Sequence, residues 1–208
     1  MKPDTLAVFG SGGHAKVIVE AVLTRTPDRT IVLLDDSPDA RGREVLGISV
    51  SGGREKLDGL PLARVALGVG DNRSRAELMD WLTSHGHKLE TVIHPATTIG
   101  KTVSIAPGAF IAAGAILIAD ARIEAGAIIN TGATIDHDCV IGAAAHIAPG
   151  VSLCGNVTVG TRTLVGVGSC ARPGVTIGKD IVIGAGSVVV GDLVEPGTYV
   201  GNPARLLG

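Results

Sequence analysis

The sequence predicts an α/β domain over residues 1–95 followed by an all-β prism of stacked coils over residues 96–208. Three observations predict it. From Ile99 to Val189 an aliphatic side chain recurs every six residues, sixteen times without an insertion, and only Ala171 falls short of large-aliphatic size. Three places before these residues stand Gly, Asp or Asn, as at Gly108, Gly114, Asp120, Gly126, Gly132, Asp138, Gly150 and Asn156. The segment before Pro95 instead holds apolar runs separated by a glycine-rich turn and a stretch of helical length.

Leu6-Ala7-Val8-Phe9 is a buried strand that runs into Gly10-Ser11-Gly12-Gly13-His14. Val17 to Leu23 reads as a helix ending near Thr26-Pro27, and Thr30 to Leu34 as a second strand stopping at Asp35-Asp36. Strand, glycine turn, helix, strand and acidic end is the order of a Rossmann-like, nucleotide-binding unit, although the turn lacks the third glycine of G-x-G-x-x-G. The helix start offers free N–H groups to a diphosphate, and Asp35 or Asp36 offers a carboxylate to a ribose or base. Residues 41–60 carry turns with little periodicity. Ala63–Val69 reads as a third strand, Arg73–His85 as a helix, and Leu89–Ile93 as a fourth strand. His85 and His87, at the helix end, read as solvated side chains.

The prism follows from the hexad. Six residues do not return a side chain to one face of a helix, but they suit a short strand plus a corner. Gly, Asn and Asp tolerate the corner's backbone. The aliphatic residue points inward and needs its equivalent in the next coil to bury it. Three hexads make one coil, so sixteen predict about five. An antiparallel sandwich would not keep the register. Val194 to Ala204, with Pro196, Gly197, Gly201 and Pro203, stops the repeat and is expected to cap the last coil.

Composition narrows the function. The 208 residues carry a net charge of −2 and four aromatic side chains, so neither a basic footprint nor a stacking platform for nucleic acid is present. Met1-Lys2-Pro3-Asp4 lacks a signal-peptide pattern, and no apolar run is long enough for a membrane span. Cys139, Cys154 and Cys170 are odd in number and lack C-x-x-C spacing, so the expected compartment is the reducing cytoplasm.

Within the prism two side chains break the composition, His137 in Ile135-Asp136-His137-Asp138 and His146 in Ala145-His146-Ile147. An imidazole titrating near neutrality can take a proton from an attacking amine or hydroxyl. Asp136 or Asp138 could fix its tautomer. Cys139 holds a position otherwise filled by small side chains, so it is expected in the core rather than as an acyl carrier.

The [LIV]-G-x-x-x-x pattern resembles the hexapeptide-repeat acyltransferases, which implies a left-handed parallel β-helix. Gly10-Ser11-Gly12-Gly13-His14-Ala15-Lys16, the Asp35-Asp36 pair, and Asn130-Thr131 followed by Ile135-Asp136-His137-Asp138-Cys139 resemble more narrowly the sialic acid O-acetyltransferase and bacillosamine N-acetyltransferase family. That resemblance implies a homotrimer with acetyl-CoA as co-substrate between adjacent prisms, no metal, and a nucleotide-linked 4-amino-6-deoxysugar as acceptor. It implies that His137 is the base and Asp138 its partner. It puts Asn130 in the sugar site and His146 beside the thioester or pantetheine arm. Ser11, Gly12, Gly13 and His14 would hold the diphosphate, with Asp35 and Asp36 near the nucleoside. Gly155, Val167 and Ala185 would line the CoA channel. Some members have Glu where this chain has Asp138.

Rival readings are a zinc carbonic anhydrase, which needs three converging histidines, a nucleotidyltransferase, whose nucleotide domain is normally longer than 95 residues, and a non-catalytic trimeric scaffold or nucleotide-sugar sensor. O-acetylation of sialic acid or a related sugar is the alternative chemistry.

Overall fold

The computed structural model describes residues 5–60 and 64–208. The chain divides into two compact units, Met1–Pro95 and Ala96–Gly208.

The first unit is built on four parallel strands. They are β1 (Leu6–Phe9), β2 (Ile31–Leu34), β5 (Arg64–Leu67) and β6 (Lys88–Leu89), in the order β2-β1-β5-β6. All four residues of β1 are buried, as a central parallel strand covered on both faces requires. Helix α1 (Gly13–Arg25) buries Ala15, Ile18, Val19, Ala21 and Val22. Helix α2 (Asn72–Ser84) places Leu78 and Leu82 in a cluster with Ala7, Phe9, Leu34, Leu57, Val65, Leu67 and Leu89. Between β2 and β5 lies a small antiparallel hairpin, β3 (Glu44–Val45) and β4 (Ile48–Ser49), turned by Leu46 and Gly47 at φ 50° and 78°.

Several sequence expectations are corrected here. Helix α1 begins at Gly13 rather than Val17, because the apolar period does not register its first turn. The expected strand 89–93 is two short strands, β6 and β7 (Val92–Ile93). Glu90 interrupts them, its carboxylate held by Arg29 at 2.9 Å and Arg64 at 3.6 Å. Ala63, the expected start of the third strand, lies outside the described residues, as do Met1 to Asp4.

Arg75 is a buried cation that periodicity does not reveal. It is 1% exposed, and burial pushes its pKa down to about 10. Its guanidinium donates to the Val69 and Gly70 carbonyls at 3.2 and 2.9 Å and to Asn72 Oδ1 at 2.8 Å. It thereby ties the loop after β5 to α2. Arg75→Met would leave those acceptors without this donor, at a cost of about 2–3 kcal/mol. Urea unfolding should show a lower midpoint.

The second unit is a left-handed parallel β-helix of about six turns, one more than the hexad count predicts. Two-residue strands recur every six residues and stack on the strand eighteen residues on. Ile99, Leu117, Ile135, Leu153, Ala171 and Val189 form one inner column. Leu117, Ile135, Leu153, Ala171 and Val189 are at most 2% exposed. The prism has three faces. Face one carries the strands that begin at Thr98, Ile116, Thr134, Ser152, Cys170 and Val188. Face two carries those beginning at Ser104, Arg122, Val140, Thr158 and Thr176. Face three includes Phe110–Ile111, Ile128–Ile129, His146–Ile147, Leu164–Val165 and Ile181–Ile183.

The corners sit at positive φ, and Asp120, Asp138 and Asn156 repeat at 61°, 58° and 61° along one edge. Ala144 and Arg162 occupy such corners at 52° and 58° without a favourable residue type. Arg162 is compensated by a bidentate pair with Asp180 at 2.7 and 2.6 Å. The C-terminal tail closes the prism. Gly197–Val200 lies parallel to Ile181–Ile183, and Arg205–Leu206 turns back antiparallel upon it.

Candidate active site

In the N-terminal unit the chain leaves β1 through α1 toward β2, and leaves β5 through α2 toward β6. The loops after β1 and β5 therefore diverge at a switch point, where open parallel sheets bind ligands. The backbones there are in close contact. Gly10 has φ +117°, and a Cβ on it would lie 2.5 Å from the Gly68 carbonyl oxygen. Gly12 caps α1 without a side-chain hydrogen bond, and the Cβ positions of Gly12 and Gly13 face open space. This leaves an open helix start of the kind that receives anions. His14 packs beside it, its Cβ 3.5 Å from where a Gly70 side chain would begin.

The two acidic residues are already engaged. Ser11 Oγ donates to Asp35 Oδ2 at 2.6 Å, and Asp35 Oδ1 accepts from Ser37 N at 2.9 Å. Asp35 thus orients the glycine turn. Asp36 accepts from Arg54 N at 2.9 Å and from Arg54 Nε at 2.7 Å. The Arg54 guanidinium lies 4.5 Å over Trp81, which also stacks on His85 at 4.2 Å and on His87 at 5.9 Å. The two histidines read as solvated are therefore parts of an aromatic stack, which sequence spacing did not reveal. Phe9, Gly10, Asp35, Asp36, Arg54 and Trp81 help line a cleft of about 410 Å³, large enough for a nucleoside.

In the prism the predicted residues fall into two groups on two edges. His137 stands at the corner between faces one and two, between the strands Thr134–Ile135 and Val140–Ile141. Its Nδ1 lies 2.8 Å from Asp138 Oδ2, while Asp136 Oδ1 accepts the His137 backbone N–H at 2.8 Å. Asp138 is therefore the residue that orients the ring, and the aspartate arm is long enough. Its left-handed backbone, at φ 58°, places it there. The hydrogen bond to Asp138 raises the His137 pKa above its ordinary value. Partial desolvation opposes it, and the charges of Asp136 and Asp138 add to the rise. With Nδ1–H donated to the carboxylate, Nε2 keeps its lone pair and can act as a base. Gly155 lies on the same edge, one coil on.

The second group follows the corner between faces three and one. Asn130 Nδ2 lies 3.0 Å from His146 Nε2. Val167 and Ala185 lie on this edge too, in consecutive coils joined by Gly186 N donating to the Val167 carbonyl at 2.8 Å. Both are exposed. A single prism thus puts His137, Asp138 and Gly155 on one corner and Asn130, His146, Val167 and Ala185 on and beside another. Cys139 is fully buried, donates to the Cys154 carbonyl at 3.1 Å, and has its thiol pKa raised by burial, as a core residue should. Among the described residues no group of three or more His, Cys, Asp or Glu is placed to hold a metal ion. No described helix is long and apolar enough to cross a membrane.

Comparison with known proteins supplies relatives. Residues 5–82 match the PglD N-terminal domain, and residues 132–161 and 156–190 match the hexapeptide repeat of succinyl-transferase. A curated relative is UDP-N-acetylbacillosamine N-acetyltransferase of Bacillus subtilis (strain 168), 36% identical over 119 residues. That match covers 52% of this chain and 51% of the relative, so it spans about half the length of each. The acetyltransferase domain of PglB from Neisseria gonorrhoeae FA1090 superposes with a TM-score of 0.92 at 36% identity, over 98% of this chain and 100% of that one. It has also been solved with acetyl coenzyme A. PerB from Caulobacter crescentus, solved with CoA and GDP-perosamine, gives a TM-score of 0.91 at 40% identity, over 98% of this chain and 97% of that one.

Proposed function

The chain belongs to the hexapeptide-repeat sugar acetyltransferases with a PglD-type N-terminal domain, and on that premise we propose that it N-acetylates a nucleotide-linked 4-amino-4,6-dideoxy sugar with acetyl-CoA. The observation that carries this reading is the imidazole of His137, held at Nδ1 by Asp138 on an open prism edge.

Each unit has a part. In the N-terminal unit the open start of α1, with Ser11, Gly12, Gly13 and His14, receives the diphosphate. The nucleoside enters the cleft beside Asp35 and Asp36. Asn130 lines the sugar site, and His146, Gly155, Val167 and Ala185 line the path of the CoA arm. Acetyl-CoA, when bound, supplies an activated acetyl thioester. His137 Nε2 accepts the proton that the sugar nitrogen loses as its bond to the acetyl carbon forms and the carbon–sulfur bond breaks. That proton then passes to the departing thiolate. A backbone N–H of the prism edge meets the charge that grows on the acetyl oxygen. Because the base and the Asn130–His146 pair occupy different corners, a complete site needs two prisms. This supports a homotrimer with sites between adjacent subunits, acting in the cytoplasm.

The test is CoA release measured with a thiol reagent, using UDP- and GDP-linked 4-amino-6-deoxysugars and sialic acid as acceptors. Turnover with one amino sugar is expected. Turnover with sialic acid alone would replace this reading with O-acetylation, and nucleotide-sugar binding without turnover would replace it with a scaffold or sensor.

The pH dependence follows from Asp138. Only neutral His137 accepts a proton, and its pKa is raised, so kcat/KM should climb with pH through a value above about 6.5. Asp138→Asn should move that limb to lower pH and lower the plateau, because the ring loses both its orientation and its basicity. The same ion pair stabilises the fold in full below the unfolded pKa of His137. That contribution is lost as pH rises through the folded value.

A further inference from the structure

We infer that Gly155 is a positioning residue for His137: the bare backbone one coil beyond is the seat on which the imidazole lies, and a side chain there would lift the ring away from Asp138. The inference rests on the reading of His137 as the base only for its catalytic consequence. Its physical content is steric.

A Cβ built on Gly155 would lie 2.4 Å from both Cε1 and Nε2 of His137 and 3.0 Å from Nδ1. All three atoms form the N–C–N edge of the ring, the edge that carries both the Asp138 contact and the basic lone pair. The ring has little freedom to retreat. Nδ1 is held by Asp138 at 2.8 Å, and the His137 backbone is held on both sides. Its N–H donates to Asp136 Oδ1 at 2.8 Å, and its carbonyl accepts from Asn156 N at 2.9 Å. A rotation that cleared a Cβ would break the Asp138 contact.

Backbone conformation does not explain this glycine. The left-handed corner of that coil is the next residue, Asn156, at φ 61°, whereas the φ of Gly155 lies outside that region. The corner column reads Lys101, Ala119, His137, Gly155, Pro173, Gly191, and of its two glycines only Gly155 would set a Cβ against a side chain, since a Cβ on Gly191 meets nothing within 4 Å. Space for the ring is the reason the position is bare.

The experiment is a double-mutant cycle on stability, with turnover as a second measurement. Gly155→Ala should lower the Tm by about 1–3 °C in the otherwise native chain, the cost of turning the half-exposed ring away from Asp138. In the His137→Ala background, where the ring is absent, it should change the Tm little. An equal loss in both backgrounds overturns the inference, whatever the protein's activity. Should Gly155→Ala alone not fold, the double variant must fold for the inference to stand. In the enzyme assay Gly155→Ala keeps the backbone N–H. It should lower kcat about tenfold or more with acceptor KM nearly unchanged, and NMR titration of the His137 Cε1–H should shift toward an ordinary histidine. A raised KM for acetyl-CoA with native kcat and native titration would instead mean that Gly155 only borders the CoA arm, and would overturn the seat.

Discussion

Replacing His137 by alanine is expected to reduce kcat by about 10²–10⁴-fold, the usual contribution of a positioned general base. The acceptor KM should change little, since the residues proposed to hold the nucleotide lie in the other unit and the mutation leaves them alone. Folding should be preserved, because the side chain is 52% exposed on a corner and supports no inner column. Circular dichroism would check the fold and CoA release the rate. A variant within tenfold of the native rate would mean that the base stands elsewhere. Asparagine at the same position should be as inactive as alanine, because it can hydrogen-bond but cannot carry the proton.

The largest structural effect is expected for Gly10→Ala. Its Cβ would meet the Gly68 carbonyl at 2.5 Å, backbone against backbone, so no side chain can move aside. The φ of +117° adds strain for any L side chain. Relief requires β1 to separate from the loop after β5, which opens the sheet at its centre. A loss of about 3 kcal/mol or more is expected. Hydrogen exchange should accelerate in β1 and β5 while the prism strands keep their protection. Nucleotide binding should fail with the sheet, since the glycine turn begins at this residue. Gly12→Ala is the comparison: its Cβ faces open space, so stability should change little.

The prism was readable because a stacked coil writes its geometry into every six residues. The inner columns must be aliphatic, and most corners choose Gly, Asp or Asn. His137 stood out for the same reason, as an imidazole in a column that otherwise offers Lys101, Ala119, Gly155, Pro173 and Gly191. What periodicity could not show were contacts made across long separations. Arg54 meets Asp36 and Trp81, Glu90 meets Arg29, and Arg75 reaches the loop before its own helix. None of these follows from spacing. The choice between Asp136 and Asp138 was equally closed to sequence, since it depends on which carboxylate the left-handed corner turns toward the ring.

The eighteen-residue register also limits how such a chain can change length. Deleting six residues between His137 and His146 would set every later side chain back by one face, carrying His146 from the third face to the second and away from Asn130. The inner columns would still be filled, and the prism would still fold. Loss or gain of a whole coil keeps every corner where it was and changes only the height. Length in this fold is therefore quantised. Changes of six residues rearrange the polar edges without unfolding the chain, and changes of eighteen move their parts along the axis alone.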